Sequence, residues 1–451
     1  MNMQLAKIIH PARRAVLPAL FGAAVLASPA SAVPAFSSQT GMACAQCHVG
    51  GFGPQLTAFG RSFKMGGYTF GDAPDKRPPI SAMAIASFSH TNDDVPALPH
   101  FSDNDNLSLD QVSAFIAGRM IDHVGTFIQL TYDGVGRAAA IDNIDLRYAD
   151  DFQVSGSDVV AGVSINNNPG VQDPWNTLAA WSFPYTASAF LPSPAAGTQI
   201  DGALANQVLG ASAYAMIDDM FYVEAGGYRS FSKGWLNRMG EDVGDRVAGV
   251  APYWRLAAQK SFGDNQVSFG VFGLYAPLYP GFDRSNGKDK YTDYGFDATF
   301  QGQDGDNLFS INAAYVYERQ DLGASFAATD VGVKNQHLST VRVNASYYVA
   351  QKYGITAGVF NTSGTTDTTR YSADPIEGSA NGSPNSSGYV MQVDYTPFGT
   401  DYTGTSKWMN LRVGLQYTGY TQFNGRSSNY DGSGRDASDN NTIQVFTWFA
   451  F

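Results

Sequence analysis

From residue 80 onward, apolar and polar side chains alternate over short runs. In "LRVGLQYTGY" (411–420), Leu411, Val413, Leu415 and Tyr417 share one face, and Arg412, Gly414, Gln416 and Thr418 the other. "VRVNASYYV" (341–349) sets Val341, Val343, Ala345, Tyr347 and Val349 against Arg342, Asn344 and Ser346. "KYGITAGVF" (352–360) and "IDNIDLRY" (141–148) follow the same scheme. A repeat of two residues is the signature of a β-strand, whose successive side chains point to opposite faces. Sixteen such segments begin near residues 80, 110, 124, 140, 156, 205, 219, 247, 265, 291, 307, 336, 353, 387, 407 and 440.

The connections alternate in length. Tight ones lie at Asp218-Asp219, Gly263-Asp264-Asn265, Asp304-Gly305-Asp306 and Lys352, and long ones cover roughly 91–109, 168–204, 231–246, 277–290, 320–335, 364–386 and 422–439. The short connection near 134–139 and the long one near 397–406 break the alternation. An even strand count, one apolar face and short turns opposite long loops describe a transmembrane β-barrel, closed so that no backbone edge is left unpaired in lipid. A soluble sandwich would turn its apolar face inward. Against it stand the chain's length, the charges on the polar face of many strands, and the last segment "NTIQVFTWFAF". There Ile443, Val445, Phe449 and Phe451 share a face, and a terminal aromatic resembles the C-terminal signal of bacterial outer-membrane proteins.

The predicted fold class is therefore all-β, an outer-membrane barrel of 16 strands over residues 79–451. Parity places Arg119, Asp145, Arg147, Glu224, Arg255, Asp297, Glu318, Arg342, Asp394 and Arg412 in its lumen. Such charges either keep the interior wet or clamp something polar.

Residues 1–32 read as a Sec-type signal peptide: Lys7, Arg13 and Arg14, then an apolar core from Ala15 to Ala27, then Ala30-Ser31-Ala32. That core falls well short of the roughly 20 residues that cross a bilayer. Cleavage would make the net charge of −12 more negative by the three basic residues removed. An acidic exported chain is a poor nucleic-acid partner. The 48 glycines, 24 tyrosines and 29 phenylalanines agree with many strands and turns.

Both cysteines of the chain lie together in "TGMACAQCHVGGFGP" (40–54). A disulfide leaves His48 unexplained, and no βαβ pattern marks a thioredoxin-like site. Zinc needs further Cys or His nearby, and the next histidine is His90. Cys44-Ala45-Gln46-Cys47-His48 instead matches the attachment site of c-type haem. Two thiols at this spacing add to the two vinyl groups on one porphyrin edge and deliver the adjacent imidazole to the iron. One covalent haem c on Cys44 and Cys47, with His48 as its metal ligand, is the expected cofactor of a small module at residues 33–78. Candidates for the sixth ligand are Met83, then Met65, with His90, His100, Met120 and His123 behind them. Arg61 and Lys64 are expected to pair with the propionates, and Phe52, Phe59 and Phe63 to flank the porphyrin. So short a module has little core of its own, which favours docking inside the barrel as a plug.

Read together, "QTGMACAQCH" (39–48), "FGRSFKMGGYT" (59–69), "NNNPGVQDPWNTLAAWSFPY" (166–185), "PYWRLA" (252–257) and a barrel ending in Phe451 resemble the fused outer-membrane cytochrome–porins, a family implicated in iron(II) oxidation. Ser38 departs from the basic residue expected before Gln39-Thr40-Gly41. The resemblance implies electrons passing from an extracellular donor, Fe(II), through the haem to a soluble periplasmic c-type cytochrome. Asp93, Asp94, Asp103 and Asp105 in the first long loop suit a hard cation. The same parts would serve electron export to extracellular oxidants, a haem-plugged diffusion porin or a redox sensor. A solute-modifying enzyme lacks any nucleophile–base constellation.

Overall fold

The structure is a computed structural model that describes residues 35–71, 79–403 and 409–451. The expected signal peptide and the 78/79 boundary lie outside the described residues. Three short helices come first: α1 (Ala35–Thr40), α2 (Cys44–Cys47) and α3 (Ala58–Met65). The strands follow: β1 (80–91), β2 (106–121), β3 (124–133), β4 (138–154), β5 (157–166), β6 (208–217), β7 (221–230), β8 (251–262), β9 (265–279), β10 (289–304), β11 (307–321), β12 (335–349), β13 (353–364), β14 (386–395), β15 (410–422) and β16 (442–450). A two-residue piece, Arg246–Val247, extends the line of β8 by pairing with Tyr279 and Leu278 of β9.

Every strand pairs antiparallel with the next, and β1 pairs with both β2 and β16, so the sheet closes into a barrel of sixteen staves. Its strands begin within a few residues of the positions expected from the alternation. The two irregular connections also stand, a tight one at 134–137 and a long one from 396 to 409.

The outward face is apolar. On β13, Ile355 and Val359 are exposed while Thr356 is buried, and on β16 Ile443 and Val445 are exposed while Thr442 and Gln444 are buried. An apolar outside over a polar inside is the pattern of a barrel whose solvent is lipid. Exposed Phe152, Phe221, Phe262, Tyr353 and Tyr395 ring the short-turn end, and Phe88, Trp254 and Tyr317 lie toward the long-loop end. Aromatic girdles of this kind mark the two membrane–water boundaries. Among the described residues no helix is long and apolar enough to cross a membrane.

The lumen is filled by two inserts. Helices α1–α3 occupy the short-turn end: the Ala45 amide donates to Gly399 O (2.9 Å) and the Arg119 amide to Gln39 Oε1 (2.7 Å). The segment from 167 to 207, expected among the extracellular loops, instead folds into the barrel from the other end. It buries Val171, Trp175, Leu178, Ile200 and Leu204. Several of the lumenal charges anchor these inserts. Arg255 sits 2.7 Å from Asp297 on its own wall and 3.5 Å from Asp173 of the inner segment. Arg342 grips Asp201 at 2.9 Å. The Gln199 and Ile200 amides donate to Glu318 (2.7 Å) and Asp293 (2.8 Å). Leaving a buried charge unpaired is costly, so these groups find partners both on the wall itself and on the inserts.

Candidate functional site

Helix α2 is a single turn that carries both cysteines, and His48 caps it by donating its amide to Cys44 O at 2.8 Å. Helix α3 is capped by Thr57, whose hydroxyl accepts from the Gly60 amide at 3.1 Å. The two helices press together at Gly60, where an added Cβ would collide with the Cys47 carbonyl oxygen. Only glycine permits that approach. Arg412 of β15 holds the loop between them, donating to Gly50 O (3.3 Å), and Asn410 donates to Gly51 O (2.8 Å).

Cys44, Cys47 and His48 face one cavity of ≈ 510 Å³ between the plug and the wall of β1, β2 and β16. Its size lies within the roughly 300–1,000 Å³ of small-molecule and cofactor sites. Phe52, Leu56, Phe63, Tyr68 and Ile85 give it apolar walls, and Trp181 and Tyr185 of the inner segment close it on the side of the long loops. Met83 of β1 lines the same cavity, its sulfur accepting from Trp448 Nε1 at 3.2 Å. The cysteines are free, and Ser37 Oγ lies 3.6 Å from Cys44 Sγ. Burial pushes the Cys44 thiol up, and burial with Cys44 beside it pushes Cys47 up to about 12. Burial holds the His48 imidazole down at about 4, with Arg412 adding to the effect and the Gly53 backbone opposing it. Its Nδ1 is buried without a partner of hydrogen-bond geometry. Among the described residues no group of three or more His, Cys, Asp or Glu could hold a metal ion by itself.

The other expected site residues divide. Lys64 borders the cavity, but its ammonium donates to Val171 O (2.7 Å), Asp173 O (2.8 Å) and Asn176 Oδ1 (2.7 Å). Three acceptors use all three of its protons, so none is left for a propionate. Burial first, and then Arg147, lowers it to about 7, against the pull of Asp145, Asp173 and Glu224. Arg61 does not reach the cavity; it donates to Leu56 O and Gln301 Oε1, both at 3.0 Å. Met65 also points elsewhere, packing with Trp175, Tyr214, Met216 and Tyr222. Phe59 stacks edge-on against Phe70 outside the cavity, whereas Phe52 and Phe63 line it. His90 pairs with Asp105 (2.8 Å) and His123 with Asp150 (3.3 Å), while Met120 and His100 are exposed; all four are away from the cavity.

Sequence reasoning missed the inner segment. Besides closing the cavity, it ties the plug in place: Asn176 Nδ2 donates to Pro54 O (2.6 Å), and Arg147 of β4 bridges Lys64 O (3.1 Å) to Gln172 O.

No family model and no curated relative matches the chain. Solved outer-membrane barrels do resemble it in outline. DcaP, an outer-membrane channel of Acinetobacter baumannii, shares 12% identity at a TM-score of 0.46 over 82% of this chain and 96% of its own. OmpF of Salmonella typhi, in complex with daunomycin, shares 14% at 0.45 over 82% and 97%. An anion-selective porin from Comamonas acidovorans shares 13% at 0.43 over 82% and 98%.

Proposed function

We propose that this chain is an outer-membrane electron-transfer protein carrying one haem c, which takes electrons from an extracellular donor, Fe(II), and delivers them to a periplasmic c-type cytochrome. The observation that carries the proposal is the convergence of Cys44, Cys47, His48 and Met83 on one apolar cavity inside the barrel. Outer-membrane placement is supported by the apolar belt between its two aromatic girdles.

The residues fit the group. Cys44 and Cys47 would hold it through thioethers, His48 would bind its iron, and Met83 is the candidate second ligand. Haem, when bound, supplies a one-electron couple, and a Met/His pair sets it at a higher potential than two histidines would. The chain does the rest. Phe52, Phe63 and Ile85 give the cavity apolar walls, Trp181 and Tyr185 cover it, and Trp448 donates to the Met83 sulfur. The barrel shields the whole from roughly 30 Å of hydrocarbon. No acid, base or nucleophile is needed, because no bond in the donor is made or broken. At the long-loop end Asp93, Asp94, Asp103 and Asp105 are exposed. Asp93 also pairs with Arg435 (3.2 Å) and Asp105 with His90 (2.8 Å), so part of this acidic loop serves its own structure.

Anaerobic stopped-flow mixing of the haem-loaded chain with Fe²⁺ tests the reading. The reduced-haem absorption should appear in proportion to iron added; reduction by another donor but not by iron would reassign the substrate. A measured midpoint potential separates import from electron export. The barrel itself favours a second reading, a diffusion porin in which haem is a plug or sensor. Bilayer conductance distinguishes them: a near-silent chain supports the conduit, and a large steady conductance supports the porin.

A further inference from the structure

The side of the plug turned away from the inner segment faces the short-turn end of the barrel. Between Ala35 and Gly71 the charged side chains are Arg61 and Lys64, and both are buried. Among the described residues, what this side presents to solvent is uncharged: Ser38, Gly41, Gln46, Ala58 and Phe70, the last 52% exposed.

The turns around it are different. Asp122, Asp151, Asp158, Asp218, Asp264 and Asp306 are all exposed there, one or two from each of five turns. Lys260 and Lys352 oppose them, and Arg119 is half-buried against the plug. Part of the acidic rim abuts the plug directly, across a second cavity of ≈ 320 Å³ that Ser62 and Met65 share with Asp151, Asp158 and Asp219. The long-loop end shows no such segregation: Asp321 lies between Lys290 (3.3 Å) and Lys334 (3.7 Å), and Asp93 beside Arg435.

From this arrangement we infer that the periplasmic mouth is a docking surface for a soluble protein whose contact patch is uncharged and ringed by lysine or arginine. An uncharged centre is cheap to desolvate, because no ion has to leave water. A predominantly acidic rim steers an oppositely charged partner and orients it before contact. Since such steering acts between exposed charges, it fades once the Debye length shrinks to about 10 Å at 0.1 M salt. That the partner is an electron carrier rests on the function proposed above; the docking itself does not require haem.

The test uses the full chain in lipid nanodiscs and two probes, a c-type cytochrome with a lysine-ringed haem edge and one with an acidic surface. The basic probe should associate at least tenfold faster at low salt than at about 0.15 M. A chain carrying Asp151→Asn, Asp158→Asn, Asp218→Asn and Asp306→Asn should lose most of that gain and show a flatter salt dependence. Asn keeps the size of each side chain and its capacity to accept a hydrogen bond, so the turns remain intact. Equal rates for the two chains, or an acidic probe that binds as fast as the basic one, would overturn the inference. Chain produced without haem attachment should still bind the basic probe. Binding without electron transfer would leave the surface standing and sink the redox reading; reduction by Fe²⁺ without binding would do the reverse.

Discussion

His48 combines two properties that pull against each other in the haem-free chain. It lines the cavity as a half-buried residue, and its imidazole is held near 4 by desolvation. Between its ordinary value of 6.5 and about 4, the unfolded chain takes up a proton that the folded chain refuses. The sign follows: stability of the haem-free plug is level above pH 6.5, falls as the pH drops through this window, and levels off below it. The span is on the order of 3 kcal/mol. Thermal melts of the haem-free chain at a series of pH values should show the decline, and His48→Phe should remove that part of it. Parallel pH curves for the two chains would contradict the assignment. The same scale explains why Met83 and Met65 part company. On α3, Gly60, Phe63 and Lys64 lie three and four positions apart and share the cavity face, while Ser62 and Met65 share another. That phase was legible in the sequence. Lys64, expected to pair with a propionate, borders the cavity, and its three acceptors belong to a segment nothing in the sequence tied to it.

Among the elements, the strands were readable because each has one lipid face and one lumenal face, and a period of two leaves little choice of register. The inner segment was not readable. "NNNPGVQDPWNTLAAWSFPY" has no period, and a loop that packs inside a barrel looks locally like one that stands outside it. A signal existed elsewhere: ten charged residues with lumenal parity need partners, and a run carrying Val171, Trp175 and Leu178 with a single acid, Asp173, is a natural supplier. Lys64 is the clearest link between plug and inner segment. Lys64→Met keeps the apolar stem and strands three buried acceptors, at a cost of about 1–3 kcal/mol. Limited proteolysis should then cut within 167–207 at protease concentrations that spare the parent chain, with a lower melting temperature. Unchanged protection would mean that Arg147 and Asn176 suffice to hold the junction.

At the scale of the molecule, a sixteen-stranded barrel has room for an aqueous channel, and this one spends that room on two inserts that meet around a single apolar cavity. Among the described residues charge is mixed at the long-loop end, absent from the exposed face of the plug, and mostly negative around the short-turn rim. These features make sense together if something inside the cavity exchanges electrons with partners at the two mouths, and Cys44-Ala45-Gln46-Cys47-His48 is the segment able to hold it. The most direct measurement is the mass of the intact chain purified from membranes after export, taken after acid–acetone extraction. One haem per chain should remain, and Cys44→Ser with Cys47→Ser should abolish it. An intact chain of bare polypeptide mass, with both thiols free to alkylate, would contradict the account.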